Sequence, residues 1–524
     1  MDPIEMMVTD LNCEYLGLSR LCLMESAGKS LSDEIATIST FKFSRPVKVV
    51  IFTGSGGNGG DGFVTARYLL NRGYEVEIVS LYGYDEIKSK DAQTNLDILK
   101  NMEPRISRLS LKYIKTPSDL DKIDLVNSKL FSEHIVVDAI LGTGIKGELR
   151  PKAKKAIEVI NESKSLVISV DVPSGLNPLT GEISDIAVKP EYTITFHKVK
   201  TGVKLAGDDK VGGIVTSDIG IPQEAELFVG FGDLIKLKNR SNSSHKGNNG
   251  KLLIVGGSKK YSGAPAIAGM SAIASGSDMV YVATPDSASL AIKSISPNLI
   301  VNSLEGDYLS IDHADSILEM VDNVDAVLIG PGSGIHEDTG KLFNVLVSKI
   351  KKPVVLDADA LKLVDLSLIK NKEDLIITPH LFEFKEFFSS VIGENEINPN
   401  DLDLGIDLLD YNLINSEISI LQKITTSIKG SIILKGHFDL IFNQKRFKIN
   451  KTGNPGMTVG GTGDSLSGIA VSLLSQGLNS FDSATLAIYL NGRAGDLAMN
   501  KQGYGFSATD ITEYLGALMA NIIK

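Results

Sequence analysis

The chain is 524 residues long, with 43% hydrophobic and 22% charged residues and a formal net charge of −11. That length exceeds one ordinary core, so two or three domains are expected. The acidic balance excludes a nucleic-acid surface, which needs a basic patch, and no apolar run is long enough to span a membrane.

The opening Met1-Asp2-Pro3-Ile4-Glu5 has neither a basic n-region nor an apolar h-region, so the cytoplasm is the expected compartment. Cys13 and Cys22 are the only cysteines. Their spacing suits two turns of one helix, and they read as two buried small apolar groups, not as a disulfide framework. Residues 47–52 then read as a buried strand, followed by a glycine-rich loop and a helix over 63–70 that Gly73 stops. Further strands are expected at 76–81, 135–139 and 166–170. Short apolar strands alternating with helices predict a parallel α/β sheet covered on both faces.

The loop over 53–62 contains six glycines. Such a density costs backbone entropy and rarely serves a plain connector. Its physical use is an anion nest at the carboxyl end of a parallel sheet, and a tight structural turn is the alternative. Two later strand tips carry carboxylates, Asp138 within 137–144 and Asp171 within 169–175. Either alone could cap a loop; with the glycine loop, three tips converge on one crevice.

The glycine loop, the two aspartate tips and the early Leu23-Met24-Glu25-Ser26-Ala27-Gly28 together resemble the YjeF N-terminal domain. That family epimerises hydrated NADH and NADPH, damaged coenzymes with a hydroxyl at C6 of the nicotinamide ring. The resemblance implies that Gly57, Asn58, Gly59, Gly60 and Asp61 cradle the substrate phosphates. It implies a second substrate loop of Gly142, Thr143, Gly144, Ile145, Lys146, Gly147 and Glu148, and a catalytic Asp171 touching the reacting ring. It also implies a potassium ion held by Asn58, Asp138 and Ser174. Gly57 stands where the family usually has asparagine.

Between about 222 and 250 the rhythm breaks, and 239–250 is polar and turn-rich, as a linker is. New strands are expected at 251–255, 280–283, 326–329, 354–356, 375–378 and 432–435, with an acidic surface insertion over 393–415. Asp357 and Asp359 would point to opposite faces of a continuing strand, so at most one should face the crevice. His380 alone reads as a hydrogen-bonded core residue or as a ligand contact. The most informative stretch is 452–468, where a glycine run ends in Gly461-Thr462-Gly463-Asp464 and opens into an apolar helix. Free amides at a helix start attract phosphate, and an aspartate beside them can take the proton of a hydroxyl about to be phosphorylated.

This half resembles the ribokinase-like fold, and within it the ADP-dependent dehydratase for hydrated NAD(P)H. The matching residues are Gly453-Asn454-Pro455-Gly456-Met457 with the glycine run, the segment from Asp357 to Leu361, and Thr378-Pro379-His380. The resemblance implies that Asp464 is the catalytic base and also contacts substrate. Lys435, Gly436, His437, Phe438, Asp439 and Gly463 would hold the nucleotide, and Ala264, Gly334 and His380 the hydrated coenzyme. It implies ADP as phosphoryl donor, with magnesium, and NAD(P)H, AMP and phosphate as products.

The expected architecture is therefore α/β in two domains: a Rossmann-like three-layer sandwich over 1–225, a linker over 226–249, and a ribokinase-like three-layer sandwich over 250–524. The expected partners are NAD(P)H hydrate and ADP, with neither nucleic acid nor membrane, in a homo-oligomer. The rival reading is a ribokinase-like small-molecule kinase with a ligand-binding N-terminal domain.

Overall fold

A computed structural model describes residues 1–44, 47–123, 134–144, 148–389 and 428–522, with isolated positions between 418 and 426. The expected insertion over 393–415 lies outside the described residues. The chain forms two compact units, Met1–Ala225 and Glu226–Lys524. Among the described residues, no helix is long and apolar enough to cross a membrane.

The first unit holds a seven-stranded sheet. Its strands are β1 (Lys48–Thr53), β2 (Glu75–Ser80), β3 (Leu109–Tyr113), β4 (His134–Ala139), β5 (Leu166–Val170), β6 (Tyr192–Phe196) and β7 (Gly213–Ser217). They run in the order β3-β2-β1-β4-β5-β6-β7, all parallel. Alternate residues of β1 serve two cores: Val49 and Ile51 join one apolar cluster, Val50 and Phe52 the other. Helices Arg20–Lys42 and Gly57–Asn71 cover the first face and Pro151–Glu162 the second. A strand buried on both faces needs apolar residues without alternation, which is how the β1 sequence reads. Strand order reverses between β1 and β4, and that switch point is where such sheets open a crevice.

The second unit repeats the plan with nine strands. These are β8 (Lys251–Val255), β9 (Met279–Pro285), β10 (Leu299–Leu304), β11 (Ala326–Ile329), β12 (Val354–Leu356), β13 (Leu375–Ile377), β14 (Ser431–Leu434), β15 (Asp439–Phe442) and β16 (Phe447–Asn450). Their order is β10-β9-β8-β11-β12-β13-β14-β15-β16. The members from β8 to β14 are parallel, and β15 and β16 are added antiparallel. Leu253 and Val255 pack into one core, Leu252 and Ile254 into the other. Helix Thr462–Ser475 lies against helix Gly263–Ala274 so closely that a Cβ on Gly468 would sit 2.1 Å from the Ala268 carbonyl oxygen.

The cysteine expectation is corrected. Cys13 is buried, but Cys22 is exposed and lies on a different helix. Gly17, at φ +94°, follows helix Pro3–Tyr15, and Ser19 caps the next helix, so the two cysteines never share a helical face.

Candidate active sites

In the first unit, helix Gly57–Asn71 starts directly after β1, with Gly56 at its N-cap and no side chain capping it. The amides of Gly57, Asn58 and Gly59 are therefore open to an anion. The preceding turn is tight: a Cβ on Gly54 would lie 1.9 Å from the Ile140 carbonyl oxygen, so the loops after β1 and β4 pass backbone against backbone. Asn58 ties the site together by donating from Nδ2 to the carbonyls of Leu141 and Val170, each at 3.1 Å.

Beneath Asn58 lies the fully buried Asp138. Its carboxylate accepts from Ser169 Oγ at 2.8 Å, Ser174 N at 2.8 Å and Ser174 Oγ at 2.5 Å. Burial pushes its pKa above the usual carboxylate range, with the serine hydrogen bonds pulling the other way. The Asp138 carboxylate, Ser174 Oγ and the Leu141 and Val170 carbonyls form an all-oxygen set joined by these hydrogen bonds. That chemistry fits a hard monovalent cation. Among the described residues no group of three or more His, Cys, Asp or Glu side chains could hold a metal ion.

Asp171 takes φ +64°, a left-handed backbone that costs a non-glycine residue about 1–3 kcal/mol. Surrounding bonds hold it there. Its carboxylate accepts from Thr195 Oγ1 at 3.0 Å and pairs with the ammonium of Lys200, a fully buried lysine. Lys200 also donates to the Phe196 carbonyl at 3.0 Å. Around this pair, burial and the Asp171 and Asp10 charges hold Asp61 well above the ordinary carboxylate range. Burial likewise raises Asp10 to about 6, against the opposing charges of Arg20 and Lys200. Lys200 and Asp10 were not anticipated from the sequence. Gly142, Thr143, Gly144 and Glu148 follow β4, and a Cβ on Gly142 would lie 3.2 Å from the Asn58 side chain, whereas Ile145, Lys146 and Gly147 lie outside the described residues.

In the second unit, helix Thr462–Ser475 opens after Gly461, at φ +95°, again without a side-chain cap. Asp464 lies in its first turn. Burial raises its pKa to about 7, aided by the charges of Asp357 and Asp359 and opposed by Lys435. Asp357 is buried, accepts from Thr378 Oγ1 at 2.6 Å and meets the Lys435 ammonium at 3.4 Å. Asp359 accepts from the Gly334 amide at 2.9 Å. The expectation that at most one of the two aspartates faces the crevice rested on a continuing strand, but β12 ends at Leu356 and Ala358 turns the chain at φ +52°, so the alternation of a strand does not extend to Asp359.

Lys435, Gly436, His437, Phe438, Asp439 and Gly463 line one cavity of about 520 Å³, a volume typical of small-molecule sites. Lys451, Asn454 and Asn491 also line it, and of these only Asn454 stood out in the sequence. Asp439 accepts from Gly436 N at 3.1 Å and Asn450 Nδ2 at 3.0 Å, and burial raises its pKa to about 6. His380 is not a core residue: its side chain is 53% exposed, and Nδ1 accepts from Glu383 N to cap the next helix. Ala264 begins helix Gly263–Ala274 close to Gly332, on the same edge as Gly334.

Comparison with known proteins matches both units. A family model described as YjeF-related protein N-terminus matches residues 20–202, and one described as NAD(P)H-hydrate dehydratase matches 252–516. The chain is 44% identical over 522 residues to a bifunctional NAD(P)H-hydrate repair enzyme of Methanothermobacter thermautotrophicus, covering 99% of this chain and 95% of that one. It is 36% identical to the namesake of Hyperthermus butylicus, over 99% of this chain and 92% of that one. The Methanocaldococcus jannaschii namesake is 38% identical, over 100% and 93%. Likeness at this level spans nearly the whole length of the chain and both of its units, and the chain belongs to the family of bifunctional NAD(P)H-hydrate repair enzymes.

Proposed function

We propose that the first unit interconverts the R and S forms of hydrated NADH and NADPH, and that the second restores the S form to NAD(P)H at the expense of ADP. The observation that carries the second half is Asp464. A carboxylate with a pKa of about 7 sits at an uncapped helix start, next to Gly463 of the nucleotide cavity. A base of that strength is matched to neutral pH.

Asp464 takes the C6 hydroxyl proton as the oxygen attacks the terminal phosphoryl group of ADP, and AMP leaves. The open amides of the helix start stabilise the charge on the transferred group, and such donors contribute about 3 kcal/mol each. Hydroxide is a poor leaving group, whereas phosphate departs readily. The C6–O bond breaks, a proton is lost from C5, and the ring double bond re-forms. Lys435 lies between Asp357 and Gly463 and is placed to hold phosphate on the cavity side. Magnesium would enter with the nucleotide.

In the first unit Asp171 faces the nicotinamide ring and the Gly57–Asp61 turn holds the phosphates. A potassium ion would be held by Asn58, Asp138 and Ser174, where its charge would help fix the phosphate loop. The oxygen set joined by Asp138 and Ser174 supports this reading.

The test uses mixed epimers with ADP, then ATP, followed by absorbance of the regenerated coenzyme. Asp464→Asn should abolish recovery while R-to-S exchange, followed by chromatography, continues. Dehydration retained in that variant would exclude Asp464 as the base.

A further inference from the structure

Along the carboxyl edge of the second sheet the site has a direction. Lys435 and the nucleotide cavity occupy the side of β14 to β16, and Asp357 and Asp359 follow β12, further toward the middle of the sheet. A donor seated in the cavity presents its phosphate to Asp464 from that side. On the other side of Asp357 and Asp359, away from that cavity, lie the loops that follow β11, β8 and β10.

Those loops carry an aromatic surface that the reaction leaves unused. The rings of Tyr308 and His336 stack with centroids 4.4 Å apart and an interplanar angle of 18°. Tyr308 is 38% exposed and Tyr261 48% exposed, so both side chains reach the surface. The surface continues the site described above. Gly334, whose amide binds Asp359, lies beside His336: a Cβ there would be 3.5 Å from the imidazole. A Cβ on Gly332 would be 3.0 Å from that of Tyr261 and 3.2 Å from that of Ala264.

The loops are pinned to one another. Lys259 N donates to the Asp307 carbonyl at 3.0 Å, its ammonium pairs with the Asp307 carboxylate at 2.9 Å, and Ser258 Oγ donates to the Gly332 carbonyl at 2.8 Å. Asp307 thus neutralises Lys259. Lys260 has no carboxylate partner among the described residues, and its ammonium stands 5.0 Å from the Tyr261 ring centroid. Surface aromatic rings beside an ammonium without a carboxylate partner match an adenine base carrying phosphate.

We propose that the Tyr308–His336 stack, flanked by Tyr261 and Lys260, seats the adenosine-phosphate half of the hydrated coenzyme. This seat is separate from the cavity that takes the donor nucleotide. The inference rests on the repair reading and specifies how the second unit recognises its substrate.

The full chain is assayed with ADP on the S hydrate of NADPH and on the hydrate of reduced nicotinamide mononucleotide, which lacks the adenosine half. Tyr308→Ala should raise KM for the dinucleotide roughly ten-fold, the scale of one lost base-stacking contact. KM for the mononucleotide and for ADP should not move, and Tyr308→Phe should behave as the unaltered chain. Equal changes for both hydrates, or no change for either, overturn the proposal. A raised KM for ADP alone would give the surface to the donor and overturns it too. Failure of the unaltered chain on both hydrates would sink the repair reading instead. The seat is then judged by equilibrium binding of NADPH with ATP filling the cavity. Roughly ten-fold weaker binding in Tyr308→Ala supports it, and unchanged binding refutes it.

Discussion

Asp464 is a carboxylate placed where ionisation is difficult. Its pKa stands near 7 because burial disfavours the charged form and Asp357 and Asp359 repel it, with Lys435 only partly compensating. In its proposed role as base Asp464 must be ionised to act, so the dehydration rate should be full above that pKa and fall as pH drops through it. The expected pH profile of kcat/KM loses about tenfold per unit on the acid side. Asp357→Asn removes a like charge, lowers the Asp464 pKa and should move this limb to lower pH. An unmoved limb would mean that the Asp357 charge does not reach the base. Asp357 also accepts from Thr378 and faces Lys435, so kcat should fall as well, and the position of the limb is the diagnostic readout.

Helices bring these residues into register, and the closest contact is between Thr462–Ser475 and Gly263–Ala274. Gly468→Ala forces a Cβ to within 2.1 Å of the Ala268 carbonyl oxygen and must part the helices. Overpacking of this kind costs about 1–3 kcal/mol. It should lower the melting temperature of the second unit and slow dehydration, because Asp464 lies one turn upstream on the same helix. Epimer exchange should be untouched; a normal dehydration rate would show that the helix start tolerates the shift.

The sequence made such elements legible where burial was two-sided. β1, β4, β8 and β11 carry runs of three or four consecutive apolar residues closed within two residues by glycine or aspartate, whereas β5 is interrupted by Ser169 and β14 runs into Lys435-Gly436. The edge and half-exposed strands were not legible. β7 is mostly exposed, β10 exposes Ile300 and Ser303 without a two-residue alternation, and β16 carries Lys448, which is buried and pairs with Asp233. Strand-tip punctuation drew attention to Asp138, Asp171 and Lys435, and the glycine run opening a helix to Asp464. Lys200 escaped notice because it follows β6, itself unrecognised, and reaches Asp171 beyond a left-handed His197 at φ +63°. A buried lysine makes sense only once its carboxylate partner is known.

For the molecule as a whole, two chemistries on one chain need not share a substrate directly. The first unit supplies an epimer and the second consumes one, so a freely diffusing intermediate suffices to couple them. Separately disabled chains should then complement each other. Asp171→Ala alone should convert pure S hydrate at the normal rate and, given mixed epimers, slow sharply once the S form is consumed. Asp464→Asn alone should exchange epimers and recover no coenzyme. Mixed in equal amounts, the two variants should carry mixed epimers to completion, with the late phase accelerating as the Asp464→Asn chain is added. Completion only in the unaltered chain, with no gain from mixing, would mean that the epimer does not pass through solution. The same mixing experiment tests Asp171: if its alanine variant exchanges epimers at the normal rate, the late phase never appears and Asp171 has no part in the first reaction.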